Sequence, residues 1–151
     1  MEKRLTIALV AHDNRKADLV EWAVYNADFL AKHKLVCTGT TGSLVLKALK
    51  DKGVEADVTC MNSGPLGGDA EIAAMVVRKE VDMAVFLIDD LNAQPHEADI
   101  QMLLRQCRVH NVPIACNRYT ADLMITSTLW DNEDYKPTDP KYIVFKRAKV
   151  K

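Results

Sequence analysis

The sequence predicts an α/β domain, a three-layer sandwich in which a five-stranded parallel sheet carries helices on both faces. Three observations predict it. Short apolar runs of strand length alternate with segments whose apolar residues recur at helical spacing. The connections between them are short, as they are when each strand is followed by a covering helix. No repeat, low-complexity stretch or linker interrupts the pattern, so 1–151 reads as one domain, long enough to bury a core.

The first apolar run, 5–11, is broken only by Thr6 and suits a strand buried on both faces. It ends in His12-Asp13-Asn14, after which Val20, Ala23, Val24, Ala27 and Leu30 predict a helix over 15–32. A second strand at 35–37 leads into Thr38-Gly39-Thr40-Thr41-Gly42 and a helix carrying Leu44, Val45, Ala48 and Leu49, which Gly53 should end. A third strand, 54–60, delivers the loop Ser63-Gly64-Pro65-Leu66-Gly67-Gly68-Asp69. The helix after it carries Ile72, Met75 and Val76 and stops near Glu80. The run 83–88 is the most apolar strand, and it opens into Asp89-Asp90-Leu91-Asn92-Ala93-Gln94-Pro95-His96. Ile100, Leu103, Leu104 and Cys107 mark the next helix, followed by a fifth strand at 112–116 and a helix over 120–128. Beyond Trp130 the period is lost, and the segment with Pro137 and Pro140 reads as an irregular extension with a late strand or turn at 142–145.

Composition narrows the function. A formal charge of -1 leaves no electrostatic footprint for nucleic acid, and the locally basic 141–151 reads as a solvated terminus. No window approaches the roughly 18 uninterrupted apolar residues of a membrane span, and Met1-Glu2-Lys3-Arg4 runs straight into the first strand with no leader. A cytoplasmic protein is expected. Cys37, Cys60, Cys107 and Cys116 lack Cys-x-x-Cys spacing and read as reduced, structural thiols, with neither a disulfide nor a zinc site expected.

Right-handed crossovers bring all the loops after strands to one edge of the sheet, where open α/β sheets bind ligands. Thr38-Gly39-Thr40-Thr41-Gly42 brings three hydroxyls and flexible amides to a helix N-terminus, the composition of an anion site. It is not a Walker loop, whose lysine and spacing are missing. Lys16 offers compensating charge from the first helix. His12 and Asp13, then Asp69, then Asp89, His96 and Asp99 bring four carboxylates and two imidazoles to the same edge, a set suited to general acid-base work. A metal could use the same side chains, but no chelating spacing appears. Each also has a structural role open to it, and for Asp69 that is capping the helix it begins. No Gly-x-Gly-x-x-Gly follows the first strand and no serine sits in a Gly-x-Ser-x-Gly elbow, which sets aside dinucleotide binding and serine nucleophilic catalysis.

With these residues in place the chain resembles the methylglyoxal synthase family as far as about Ser127. Four segments carry the likeness in order and spacing: Ala8-Leu9-Val10-Ala11-His12-Asp13, Thr38 through Gly42, Ser63 through Asp69, and Asp89 through His96 to Asp99. The resemblance implies a Rossmann-like methylglyoxal synthase fold and a lyase that converts glycerone phosphate to methylglyoxal and inorganic phosphate without metal or organic cofactor. It implies a homo-oligomer, usually a hexamer, inhibited by phosphate. It makes Asp69 the catalytic base with His96 and Asp99 as partners in proton handling, and draws phosphate contacts from Lys16, Thr38, Gly39, Thr40, Thr41, Ser63 and Gly64, with His12 close by and Asp13 and Asp89 in support. The sequence departs from the family at Asp90, where proline is frequent, and throughout the tail, where Arg147 is the nearest match to an arginine that serves intersubunit signalling in some members.

A helix N-terminus would keep Asp69 ionised at the cost of some basicity. The competing expectation is a regulatory module of the same fold, which needs the phosphate loops but not the set of Asp69, His96 and Asp99.

Overall fold

A computed structural model of the protein describes residues 3–142. Five strands, β1 (Thr6–Ala11), β2 (Lys34–Cys37), β3 (Asp57–Cys60), β4 (Met83–Leu87) and β5 (Ile114–Ala115), form an all-parallel sheet in the order β3-β2-β1-β4-β5. The helices are α1 (Lys16–Tyr25), α2 (Ala27–Leu30), α3 (Gly39–Asp51), α4 (Gly68–Val77), α5 (Glu97–Val109) and α6 (Arg118–Ile125). The chain walks outward from β1 to β3 and then returns to pair β4 with the other side of β1. The order reverses between β1 and β4, and the loops leaving these two strands lie side by side, hydrogen-bonded to each other, at their shared carboxyl edge.

The central strands sort their side chains by the period of two. Ile7, Leu9, Ala11, Leu35, Met83, Val85 and Leu87 pack under α1, α2, α3 and α6, while Ala8, Val10, Val36, Ala84 and Phe86 pack under α4 and α5. Both faces are apolar because both are covered. Trp22 anchors the first face: its ring is buried, and its indole N–H donates to Asp122 Oδ1 at 2.8 Å, joining α1 to α6. Trp22→Ala should lower unfolding stability by about 3–5 kcal/mol, the usual cost of emptying so large a site, read from urea denaturation.

Several boundaries differ from the sequence expectation. The helix expected over 15–32 is two helices, because the side chain of Asn26 donates to the Trp22 carbonyl at 3.0 Å and closes α1. A short 3-10 turn, Asp13–Arg15, precedes it. The third strand covers only Asp57–Cys60 and lies exposed at the sheet edge instead of spanning a buried 54–60. The fifth pairs only at Ile114–Ala115, since Pro113 has no N–H to give and contributes its carbonyl to Ala84 N at 2.9 Å. Leu44, expected on the apolar face of α3, is exposed. The extension after α6 begins with a 3-10 turn at Thr128–Asp131 and is tied back by Lys79 to Asp139 and by Asn111 to the Thr138 carbonyl. The late strand or turn at 142–145 and Arg147 fall on or beyond the last described residue. Among the described residues all four cysteines are free thiols, and no helix is long and apolar enough to cross a membrane.

Candidate active site

At the carboxyl edge of β1, β2 and β3 a cavity of about 260 Å³ is lined by ten of the residues singled out in the sequence: His12, Asp13, Lys16, Thr38, Thr40, Thr41, Ser63, Gly64, Asp69 and His96. Val10, Ala11, Pro65 and Gln94 complete it. Gly39, Asp89 and Asp99 stand outside the lining. A larger depression of about 780 Å³, among Val81, Pro113, Leu129 and Trp130, has one wall built from the irregular extension. It contains neither the hydroxyl loop nor the acid-base set.

One wall carries hydroxyl side chains beside uncapped helix starts. Thr38 sits at the N-cap of α3 and Ser63 at that of the 3-10 turn Gly64–Leu66, yet neither side chain accepts from a helix amide. The α4 and α5 N-termini are uncapped too, whereas α6, away from the cavity, is capped by Asn117 accepting from Thr120 N at 2.8 Å. Uncapped amides at a helix start attract an anion. The loop expected at 38–42 is in fact the cap and first turn of α3. Thr41 is buried and its hydroxyl donates to the Ala11 carbonyl at 3.4 Å, holding that turn against the end of β1. Gly39 lies behind the lining, its N–H donating to the Asn62 carbonyl at 3.1 Å, which zips the two phosphate-loop candidates together.

Lys16 meets the cavity from the start of α1. Its ammonium bonds the Asp13 carboxylate at 2.5 Å, with 18% of the lysine side chain exposed against 93% of the aspartate. That hydrogen bond holds the Asp13 carboxyl below its ordinary range.

Asp69 is fully buried in the first turn of α4 and makes no capping bond, so the capping role open to it in the sequence is not the one it takes. Its Oδ2 lies 3.3 Å from His96 Nε2, close enough for an ion pair but too poorly aligned for a hydrogen bond, and both carboxylate oxygens and both His96 nitrogens are left without hydrogen-bond partners. Burial pushes the Asp69 carboxyl up, His96 partly offsets it, and Asp99 adds to the rise. This corrects the expectation that the helix start would lower its basicity: desolvation outweighs the helix dipole here. Gly64 makes the approach possible, since a β-carbon there would stand 2.8 Å from His96 Nε2 and 3.3 Å from Asp69 Oδ1.

His12 is set by the neighbouring strand. Its Nδ1 accepts the Asp89 backbone N–H at 2.8 Å, so the neutral ring carries its proton on Nε2, a buried atom with no partner that faces the cavity. Desolvation and His96 push the His12 imidazolium toward the neutral form, outweighing Asp89, Glu97 and Asp13. Its ring also packs edge-on to Phe86 and to His96. Asp89 holds this arrangement from outside the cavity. Its Oδ2 accepts from Asn14 at 2.9 Å and Asn92 at 3.0 Å, and its Oδ1 from Leu91 N at 3.1 Å. These bonds, Asn92 first, keep the Asp89 carboxyl low. The sequence reasoning passed over Asn14, Asn92 and Gln94. Asn14 follows Asp13 and Asn92 stands three residues after Asp89, in the two loops that the strand order makes neighbours.

His12, Asp69 and His96 each bring one donor atom within 4.8 Å of the others, the composition of a metal site. The fixed tautomer weighs against it. His12 presents N–H to the cavity instead of a lone pair, and an N–H suits an oxyanion. Asp99 sits in the first turn of α5, its N–H bonded to the His96 carbonyl at 3.0 Å, and reaches the site through its charge on Asp69.

Residues 18–116 match the family model of the MGS-like domain. The chain is 68% identical over 147 residues to the methylglyoxal synthase of Treponema socranskii, covering 97% of this chain and 93% of that protein. It is 46% identical over 140 residues to that of Coxiella burnetii, covering 93% and 94%. The crystal structure of methylglyoxal synthase from Elizabethkingia anophelis superposes with a TM-score of 0.81 at 43% identity, covering 94% of this chain and 90% of that one.

Proposed function

The chain belongs to the methylglyoxal synthase family, and on that premise we propose that it is a carbon-oxygen lyase converting glycerone phosphate to methylglyoxal and inorganic phosphate. One observation carries the reading: a buried carboxylate with both oxygens unpartnered faces a cavity whose opposite wall is a hydroxyl-lined anion cradle. The phosphate is held by Thr38, Thr40, Thr41, Ser63, the open amides of α3 and Lys16, which exchanges Asp13 for the incoming dianion.

Asp69 removes a proton from the hydroxymethyl carbon beside the carbonyl. The carbon-hydrogen bond pair becomes the double bond of an enediolate, and charge gathers on the former carbonyl oxygen. His96 and the Nε2–H of His12 donate hydrogen bonds to the substrate's oxygens, and the imidazole of His12 does so as the neutral ring. The hydroxyl on the former hydroxymethyl carbon then loses its proton and becomes the aldehyde carbonyl, the double-bond pair shifts toward the phosphate-bearing carbon, and that carbon-oxygen bond breaks with its pair leaving on phosphate. Of the two protons released, one goes to phosphate and the other to the terminal carbon of the resulting enolate, which gives methylglyoxal. Elimination needs that carbon-oxygen bond to stand out of the enediolate plane, so the cradle controls outcome as well as affinity. Asp99 supports the proton handling of Asp69 and His96.

The family premise also supports a homo-oligomer, a hexamer in most members, with feedback inhibition by phosphate, residing in the cytoplasm. Leu66 and Leu91, 76% and 93% exposed on the same edge as the cavity, suit contact with another copy, and light scattering after size exclusion measures the subunit number. Incubation with glycerone phosphate should release methylglyoxal and inorganic phosphate in equal amounts. Phosphate binding without product would instead identify the regulatory module.

A further inference from the structure

Cys37 and Cys60 are directly opposed in the parallel pairing of β2 and β3, which puts their side chains on the same face of the sheet. The packing at Gly42 brings them closer still. A β-carbon built on Gly42 would lie 2.4 Å from Cys60 Sγ, 3.5 Å from Cys60 Cβ and 3.0 Å from Cys37 Cβ, so both cysteines close on one point beneath the first turn of α3. Cys60 is exposed on the edge strand and Cys37 is buried behind it. Cys107 belongs to the core under α4 and α5, on the opposite face from Cys37.

We propose that Cys37 and Cys60 form a reversible disulfide under hydroperoxide, and that this modification opens the phosphate cradle. The exposed Cys60 reacts first. Its sulfur attacks one peroxide oxygen, the oxygen-oxygen bond breaks, and one water leaves a sulfenic acid. Cys37 then attacks the Cys60 sulfur, the sulfur-oxygen bond breaks, and the departing hydroxide leaves as a second water with the proton lost from Cys37. Two thiols are oxidised by two electrons while one peroxide is reduced to two waters. Burial and the neighbouring Cys60 push the Cys37 thiol up to about 12, which makes the second step the slow one. A disulfide between opposed positions of adjacent strands is strained and hence easily reduced.

The consequence for the site follows from the chain. Cys37 immediately precedes Thr38, and its carbonyl accepts from Met61 N at 2.7 Å. Cys60 leads within three residues to Ser63. One bond therefore pulls on both walls of the cradle and crowds the turn holding Thr41. The effect on phosphate rests on the proposed role of the cradle, whereas the cross-link itself does not.

The test treats the full chain with hydrogen peroxide, maps disulfide-linked peptides by mass spectrometry, and measures inorganic phosphate binding by calorimetry before and after, and again after dithiothreitol. A Cys37–Cys60 link with about a tenfold or greater loss of affinity, restored by reduction and absent in Cys60→Ser, is expected. Cross-linking through Cys107 or Cys116, over-oxidation of Cys60 without a link, or a link that leaves affinity unchanged would overturn the proposal. Reduced protein that binds no phosphate would overturn the cradle assignment instead, and the peptide map would still decide the cross-link.

Discussion

Asp69→Asn is expected to cut turnover by about 10²- to 10⁴-fold, the range supplied by a positioned general base, while phosphate affinity stays near that of the wild type and the melting temperature rises. The first two effects separate base from cradle: the amide cannot accept the proton, yet Thr38, Thr40, Thr41 and Ser63 are untouched. The third follows from burial. Asp69 is fully enclosed and its carboxyl is pushed up, so its ionised form opposes folding. That cost is absent below the unfolded-state value of about 3.9, where the acid is protonated in both states, and complete above the raised folded value.

The asparagine carries no such dependence. Its stability gain should be largest at neutral pH, about 1–3 kcal/mol or several degrees, and should shrink as the pH falls into the ordinary carboxylate range. Melting curves across that span check it. In the wild type the acid limb of kcat/KM should fall above that range and disappear in the variant. Near-normal turnover by Asp69→Asn would remove Asp69 as the base, and unchanged stability at neutral pH would remove the desolvation argument.

Gly64→Ala should be the next most damaging small change, lowering kcat by about 100-fold, the loss that a displacement of roughly 1 Å produces in a reacting constellation. Its backbone is not in the left-handed region, so strain is not the cause. The new methyl would stand 2.8 Å from His96 Nε2 and 3.4 Å from its Cε1, forcing the ring away from Asp69. Gly67→Ala is the contrasting case three residues on. Gly67 has φ +102 and nothing within 4 Å of a built β-carbon, so that variant should lose roughly 1–2 kcal/mol of stability and little turnover. Equal kinetic losses in the two variants would mean that the loop's backbone, not the close approach at Gly64, governs the rate.

The architecture was legible because periodicity is local. Alternation in 7–11 and 83–87 distributes side chains between two apolar faces, and only a sheet covered on both sides accommodates such runs. Where the expectation missed, a specific contact overrode the period: the Asn26 amide on the Trp22 carbonyl splits a helix, Pro113 trims a strand, and the end position of β3 leaves its residues exposed.

By itself the sequence determined which residue types stand after each strand, and so which side chains could reach one edge: the hydroxyls of 38–41, Ser63, and the acids and imidazoles at 12, 69 and 96. Only the tertiary structure decided their states. Asp69 gains basicity from burial that no local pattern encodes, His12 takes its tautomer from a backbone amide 77 residues away, and Lys16 is paired with Asp13. Desolvation and hydrogen-bond direction depend on what surrounds a group in space, which the order of residues specifies only through the completed fold.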